Sequence, residues 1–257
     1  MIENAMQEFT KYVKSFTQES EIILKYKHTL RVMDLCGKIA RFLNLKEEEV
    51  EIAKLIGLLH DIGRFPQWSK YHTFSDAKSV DHAALGVQIL KENDYLRKYS
   101  FHEEYDSIIL KSILYHSQFK IPEGLTEKEE LFAKIIRDAD KLDILYVYLE
   151  EKIQFTKTFM EEGFEEEYFS VGVYEALLQK QTIRIDAIKN KVDFLSLSLG
   201  FIFDMNYLYS IEYLKEKKYY SMLIEQYKER INNSIFHKQL EEIQKGIEEY
   251  IEERLTC

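Results

Sequence analysis

The sequence predicts an all-α protein, and three observations carry that reading. Only nine glycines and two prolines occur in 257 residues, too few turn-formers to bound many strands. Leu, Ile, Glu and Lys are abundant, and apolar residues recur at the three- and four-residue spacing of amphipathic helices. Eighteen tyrosines and sixteen phenylalanines read as the packing groups of such helices.

Taken in order, the first amphipathic stretch runs from Glu3 to Phe16. Ser20 is the expected N-cap of a long helix reaching Asn44. The next helix starts near Lys46, where Glu47, Glu48 and Glu49 suit the positive end of the helix dipole, and continues to Asp61 or Ile62, with Gly63 as its stop. Periodicity is lost from Arg64 to Lys78, so Phe65-Pro66-Gln67-Trp68 reads as an aromatic loop, either a pocket wall or a packed connection. Helices resume at Val80 to Glu92, His102 to Gln118 and Thr126 to Lys152, the last opened by the capping box of Thr126 and Glu129; Ile121-Pro122-Glu123-Gly124 separates these two. Beyond Lys152 four more helices follow, at Tyr174 to Gln181, Asp186 to Tyr209, Glu212 to Ile231 and Ser234 to Glu253.

Residues 1–152 are therefore expected to form the catalytic domain, and 153–257 a helical region completing the same core, without chemistry of its own. The chain is long enough to bury a sizeable core without a disulfide. Its two cysteines, Cys36 and Cys257, lie far apart, which suits a reducing cytoplasm. Net charge is −10, which opposes bulk nucleic-acid binding. Charges interrupt every long apolar run, and the N-terminus lacks a signal peptide, so no membrane association is expected.

The strongest chemical signal is Leu58-Leu59-His60-Asp61-Ile62-Gly63-Arg64. A consecutive His and Asp at the end of an apolar helix are costly to bury unless they bind something. Adjacent helical positions differ by about 100°, so imidazole and carboxylate can converge on an ion between them. His60 shares a face with Ala53, Ile56 and Gly57. His28 falls in the apolar stripe Leu24, Val32, Leu35, and Asp140 in the stripe Ile136, Ile144, Val147. Singly each would be a core polar residue; jointly they make a metal site the simpler explanation. Asp138 and Asp143 read as surface groups or as groups behind the ligands. His82 and His116 also fall at inward positions, where they would ligate a second ion bridged by Asp61 or line the pocket. His72, His102 and His237 have no partners at ligand spacing and read as solvent-facing or structural.

Arginines accompany the ligand segments at same-face spacing: Arg31 after His28, Arg64 after His60, Arg137 before Asp140, with Lys141 nearby. They are the expected cations for an anionic substrate, and Asp61 and Arg64 the expected catalytic pair.

His28, then His60-Asp61, then Asp140 resembles the signature of the HD superfamily of metal-dependent phosphohydrolases, and His60-Asp61-Ile62-Gly63 resembles its HDIG variant. Tyr115-His116-Ser117-Gln118, Ile121-Pro122 and Arg137 to Asp143 are similar to segments of bacterial members, so the likeness spans about residues 20 to 150. It implies a helical bundle around a divalent ion held by His28, His60, Asp61 and Asp140, with His82 and His116 as the extra ligands of two-metal members. A single His116 and no Gly-Tyr-Pro depart from the HD-GYP type, which argues against a cyclic-dinucleotide substrate. The expectation is a phosphohydrolase acting on a nucleotide or another small phosphorylated metabolite, with one or two ions of Mn, Fe, Co, Ni or Zn. His82 or His116 would serve as general acid if free of metal. The alternatives are a di-iron oxygenase and a non-catalytic nucleotide sensor; a homodimer is left open.

Overall fold

The computed structural model describes residues 1–100, 102–149 and 167–256, without the side chain of residue 93, and among them there are helices and turns but no strand. The chain divides into two compact units, Met1–Asp143 and Ile144–Cys257, the boundary falling within a long helix. The expected division at 152 lies outside the described residues. No helix among the described residues is long and apolar enough to cross a membrane.

The first unit is built from α1 (Ile2–Lys14), α2 (Ser20–Phe42), α3 (Glu47–Leu59), α4 (Arg64–Tyr71), α5 (His82–Lys91), α6 (Asp106–Tyr115) and the start of α7 (Glu127–Leu149). Helices α2 and α3 form its centre. A Cβ on Gly57 would lie 2.8 Å from the Met33 Cα and 3.0 Å from the Cys36 sulfur, so the absent side chain is what lets the two helices approach this closely. Ser20 is the first residue of α2, not its cap; its hydroxyl donates to Glu21, and the capping position falls to Glu19.

The aromatic stretch after the His60-Asp61 pair is a helix, not a loop. Pro66 sits in the first turn of α4, where its missing N–H costs nothing. Phe65 is fully buried and meets Phe9 edge-on at 5.7 Å, with Tyr12 and Phe16 at 6.1 and 6.0 Å. Its ring therefore locks α4 to α1 and does not wall a pocket. Buried Gln67 gives its amide to Asp76, Ser79 and the Val80 carbonyl, fixing the segment before α5.

Gly63 does not end α3 by adopting a left-handed conformation; its φ is −71°. It is needed for space, because a Cβ there would overlap the His82 carbonyl oxygen and lie 2.8 Å from the Gly86 nitrogen. The start of α5 is thus seated on the backbone of Gly63.

The capping box at α7 is present. Glu129 Oε2 accepts from the Thr126 N–H at 3.0 Å, and Thr126 Oγ1 accepts from the Glu129 N–H at 3.3 Å. Glu129 Oε1 also takes Lys111 Nζ at 2.7 Å and the Ser107 hydroxyl at 2.6 Å. These bonds hold its carboxyl down to about 2. A depressed native pKa stabilises fully above the unfolded value of about 4.3 and is lost as pH falls through the native one. Glu129→Gln should therefore cost about 1–2 kcal/mol near neutrality. In urea titrations that difference should shrink below pH 4 and largely vanish near pH 2.

The second unit contains α8 (Val171–Leu178), α9 (Asp193–Gly200), α10 (Leu208–Lys217), α11 (Tyr219–Arg230) and α12 (Ser234–Thr256). The helix expected from Asp186 to Tyr209 is broken. Buried Asp193, the first residue of α9, accepts from the Ser170 and Lys189 N–H groups and the Ser170 hydroxyl, while Asn190 Oδ1 accepts from the Asp193 N–H where α9 begins. The helix expected from Glu212 to Ile231 is also two, split at Lys218 with φ 55°. His237 is structural: its Nε2–H donates to the Lys228 and Ile231 carbonyls at the end of α11.

Candidate metal centre

Five segments of the first unit converge. His28 comes from the middle of α2, His60 and Asp61 from the turn after α3, His82 from the first position of α5, His116 from the residue following α6, and Asp140 from α7. All four imidazoles and the Asp61 carboxylate are almost completely buried.

Their reactive atoms form two groups joined by one carboxylate. In the first, His28 Nε2 lies 3.3 Å from His60 Nε2 and 3.2 Å from Asp140 Oδ1; His60 Nε2 is 3.7 Å from the same oxygen. Asp61 Oδ2 faces this group, 3.6 Å from His28 and 3.5 Å from His60. In the second, His82 Nε2 lies 3.2 Å from His116 Nε2, and Asp61 Oδ1 faces both at 3.4 and 3.8 Å.

The opposite ring nitrogens show why these rings suit a metal. His60 Nδ1–H donates to the Gly57 carbonyl and His116 Nδ1–H to the Ile113 carbonyl, each at 2.7 Å. His28 Nδ1–H donates to Asp143 at 2.7 Å and His82 Nδ1–H to Asp76 at 2.6 Å. Every Nδ1 is committed as a donor to an acceptor-only group, so in the neutral rings every Nε2 presents a lone pair. Lone pairs facing one another at 3.2–3.3 Å repel unless a cation lies among them, and the donor set therefore fits divalent ions.

The electrostatics agree. Burial opposes ionisation of Asp61, but Lys25, His60, Arg64 and His82 outweigh it and hold the carboxyl well below its usual range. Burial likewise opposes that of Asp140, but the facing His28 and His60 rings outweigh it and hold the carboxyl well below its usual range. Burial, then the neighbouring His82 and His60, push His116 down to about 3, which leaves it neutral at physiological pH, as a ligand must be. His28 is raised, against burial and the Lys25 charge, by Asp140 and Asp143.

The cations expected to meet substrate are placed differently from one another. Arg64 flanks the centre, its Nε 3.5 Å from Asp61 Oδ1, buried and without a hydrogen bond, while Nη1 holds Gln67, the Phe74 carbonyl and Asp76. Arg31 grips Asp143 with two bonds of 2.6 and 3.0 Å, fixing the carboxylate that orients His28. Arg137 is buried and donates to the carbonyls of Tyr115, His116, Gln118 and Phe119. It braces the segment bearing His116. Lys141 is half-buried.

Neither Asp138 nor Asp143 is a surface group. Asp143 stands behind His28, and Asp138 is fully buried. Two participants carry no sequence expectation: Asp76, which backs His82, and Lys25, whose Nζ lies 2.6 Å from Asp61 Oδ2. Asp76 has no periodic context to mark it. Lys25 does have a signal, one turn before an inward histidine. His102 lies beside Glu48 and Glu104 at the surface, apart from the centre.

Removing a group that orients a metal ligand typically costs 10–100-fold in affinity. Asp76→Asn and Asp143→Asn should each weaken divalent-ion binding by about that factor, measured by calorimetric titration, with unchanged far-UV circular dichroism.

A helical unit whose centre is built on His28, His60-Asp61 and Asp140 defines a class, and the family comparison agrees. Residues 26–145 match the family model described as HD domain. The matched range contains all six donor residues. HD domains are generally those of metal-dependent phosphohydrolases. No curated protein and no solved structure matches the chain.

Proposed function

We propose that this HD domain is a dinuclear phosphohydrolase acting on a nucleotide or another small phosphorylated metabolite. The observation that carries the reading is Asp61, whose two oxygens face two histidine pairs. His28, His60 and Asp140 would hold one ion, His82 and His116 the other, and Asp61 both. Divalent ions of this kind lower the pKa of a bound water and polarise a phosphoryl oxygen.

The chain's own residues supply the rest. Asp143 and Asp76 keep protons on the outer nitrogens of His28 and His82, and the Gly57 and Ile113 carbonyls do so for His60 and His116. Arg64, with an uncommitted Nε beside Asp61, is placed to neutralise a substrate oxygen. With Arg31 and Arg137 occupied in bracing the ligands, substrate charge falls chiefly to Arg64. His116, neutral because its pKa is pushed down to about 3, serves as a ligand and not as a general acid.

Elemental analysis of gently purified protein, joined to a panel of phosphorylated metabolites, tests this. About two ions per chain and phosphate release without oxygen are expected. Turnover that requires iron and consumes oxygen would instead identify an oxygenase, and tight nucleotide binding without turnover would identify a sensor.

A further inference from the structure

Asp61 Oδ2 faces three groups: His28 Nε2 at 3.6 Å, His60 Nε2 at 3.5 Å and Lys25 Nζ at 2.6 Å. The two imidazoles belong to the first donor group, so an ion held by that group takes this oxygen as a partner. An ammonium already holds it. Two cations cannot share one carboxylate oxygen at contact distance without strong repulsion.

Lys25 has somewhere else to go. Its side chain is 17% exposed, so it reaches from the buried carboxylate to solvent. Its Nζ is 5.6 Å from the centroid of Phe74, whose ring also receives the Arg64 guanidinium at 5.9 Å. A lysine over an aromatic face keeps a favourable partner after losing its carboxylate. The residue stands on α2 one turn before His28, so its flexible four-carbon stem keeps the charge at the rim of the centre.

We propose that Lys25 occupies the first cation position of the metal-free centre, and that a divalent ion displaces it toward Phe74, where it receives an oxygen of the incoming phosphate. The proposal rests on the metal-dependent reading above. In the metal-free protein the ammonium balances the buried Asp61 carboxylate, which keeps the donors assembled. In the loaded protein the same charge stands beside Arg64, and two cations then face an anionic substrate.

The test uses the full chain, with Mn2+ and inorganic phosphate as ligands. Calorimetry on metal-free protein should show that Lys25→Met binds the first Mn2+ about tenfold more tightly than wild type, because no cation must leave. Mn2+-saturated Lys25→Met should bind phosphate about tenfold more weakly, whereas Lys25→Arg should keep most of that affinity. A measurement on wild type alone does not depend on the variants folding. Acetylation of Lys25 by an amine reagent, read by mass spectrometry, should rise severalfold on adding Mn2+ relative to the other lysines.

Unchanged or weaker Mn2+ binding by Lys25→Met, or an acetylation rate indifferent to Mn2+, overturns the displacement. Unchanged phosphate affinity overturns the receiving role. Failure of the underlying reading is separately visible, because wild-type protein would then bind no Mn2+ at all, and the proposal would fall with it.

Discussion

Asp61→Ala should leave a folded helical protein that holds no metal, because this one side chain faces both histidine pairs. Removing a supporting group already costs 10–100-fold in affinity, so losing the shared ligand should exceed about 100-fold at each position and reduce turnover at least in proportion. The variant should also be less stable. Lys25 loses the partner that holds it at 2.6 Å, and stranding one member of a largely buried pair costs up to about 3–5 kcal/mol, less here because the amine retains access to water. Lys25→Met in the same chain should recover part of that loss. Calorimetric metal titration and urea denaturation measure the two effects, and retained metal with full activity would remove the basis for the centre. Asp138→Ala makes the contrast: fully buried but not among the facing donor groups, it should cost stability while leaving metal binding close to wild type.

Gly63→Ala should be the most damaging single-methyl change in the first unit. The new Cβ would collide with the His82 carbonyl oxygen and stand 2.8 Å from the Gly86 nitrogen, and neither is the end of a flexible side chain that could swing away. Overpacking of cores costs about 1–3 kcal/mol when side chains can yield; against backbone the cost should reach about 3 kcal/mol or more. The relief available is movement of α5 away from the turn, which carries His82 with it. Urea denaturation should therefore show a lower midpoint, and metal analysis of the surviving folded protein should show preferential loss from the His82–His116 pair. A midpoint within experimental error of wild type would mean that α5 is not seated on Gly63.

The first unit was more legible in the sequence than the second, for an identifiable reason. His28, His60 and Asp140 interrupt apolar stripes, and a polar group in an inward slot is visible from helical periodicity alone. Periodicity also places the long helices α2 and α3, and the start of α7, to within a few residues. It fails at α4, where a proline and two aromatics suggest a loop, although a proline in the first turn is compatible with a helix and Phe65 is core. It fails again at Asn190 and Lys218, where a side chain that accepts from the Asp193 N–H and a left-handed residue break apparently continuous helices. For Arg31 and Arg137, same-face spacing predicts proximity to a ligand, but not whether the guanidinium faces the ligand's front or its back. Asp76 was invisible because its partner His82 is reached through a folded turn.

The two groups of donors facing Asp61 are unequal. Their histidines are matched, each pair having one ring backed by a carboxylate and one by a main-chain carbonyl. Asp140, however, groups with His28 and His60. One compartment thus offers two anionic oxygens and the other only its share of Asp61. Under scarce metal, on the two-ion reading, occupancy becomes sequential and a half-filled population accumulates, so that availability of the ion itself would set how much of the protein is competent at any moment.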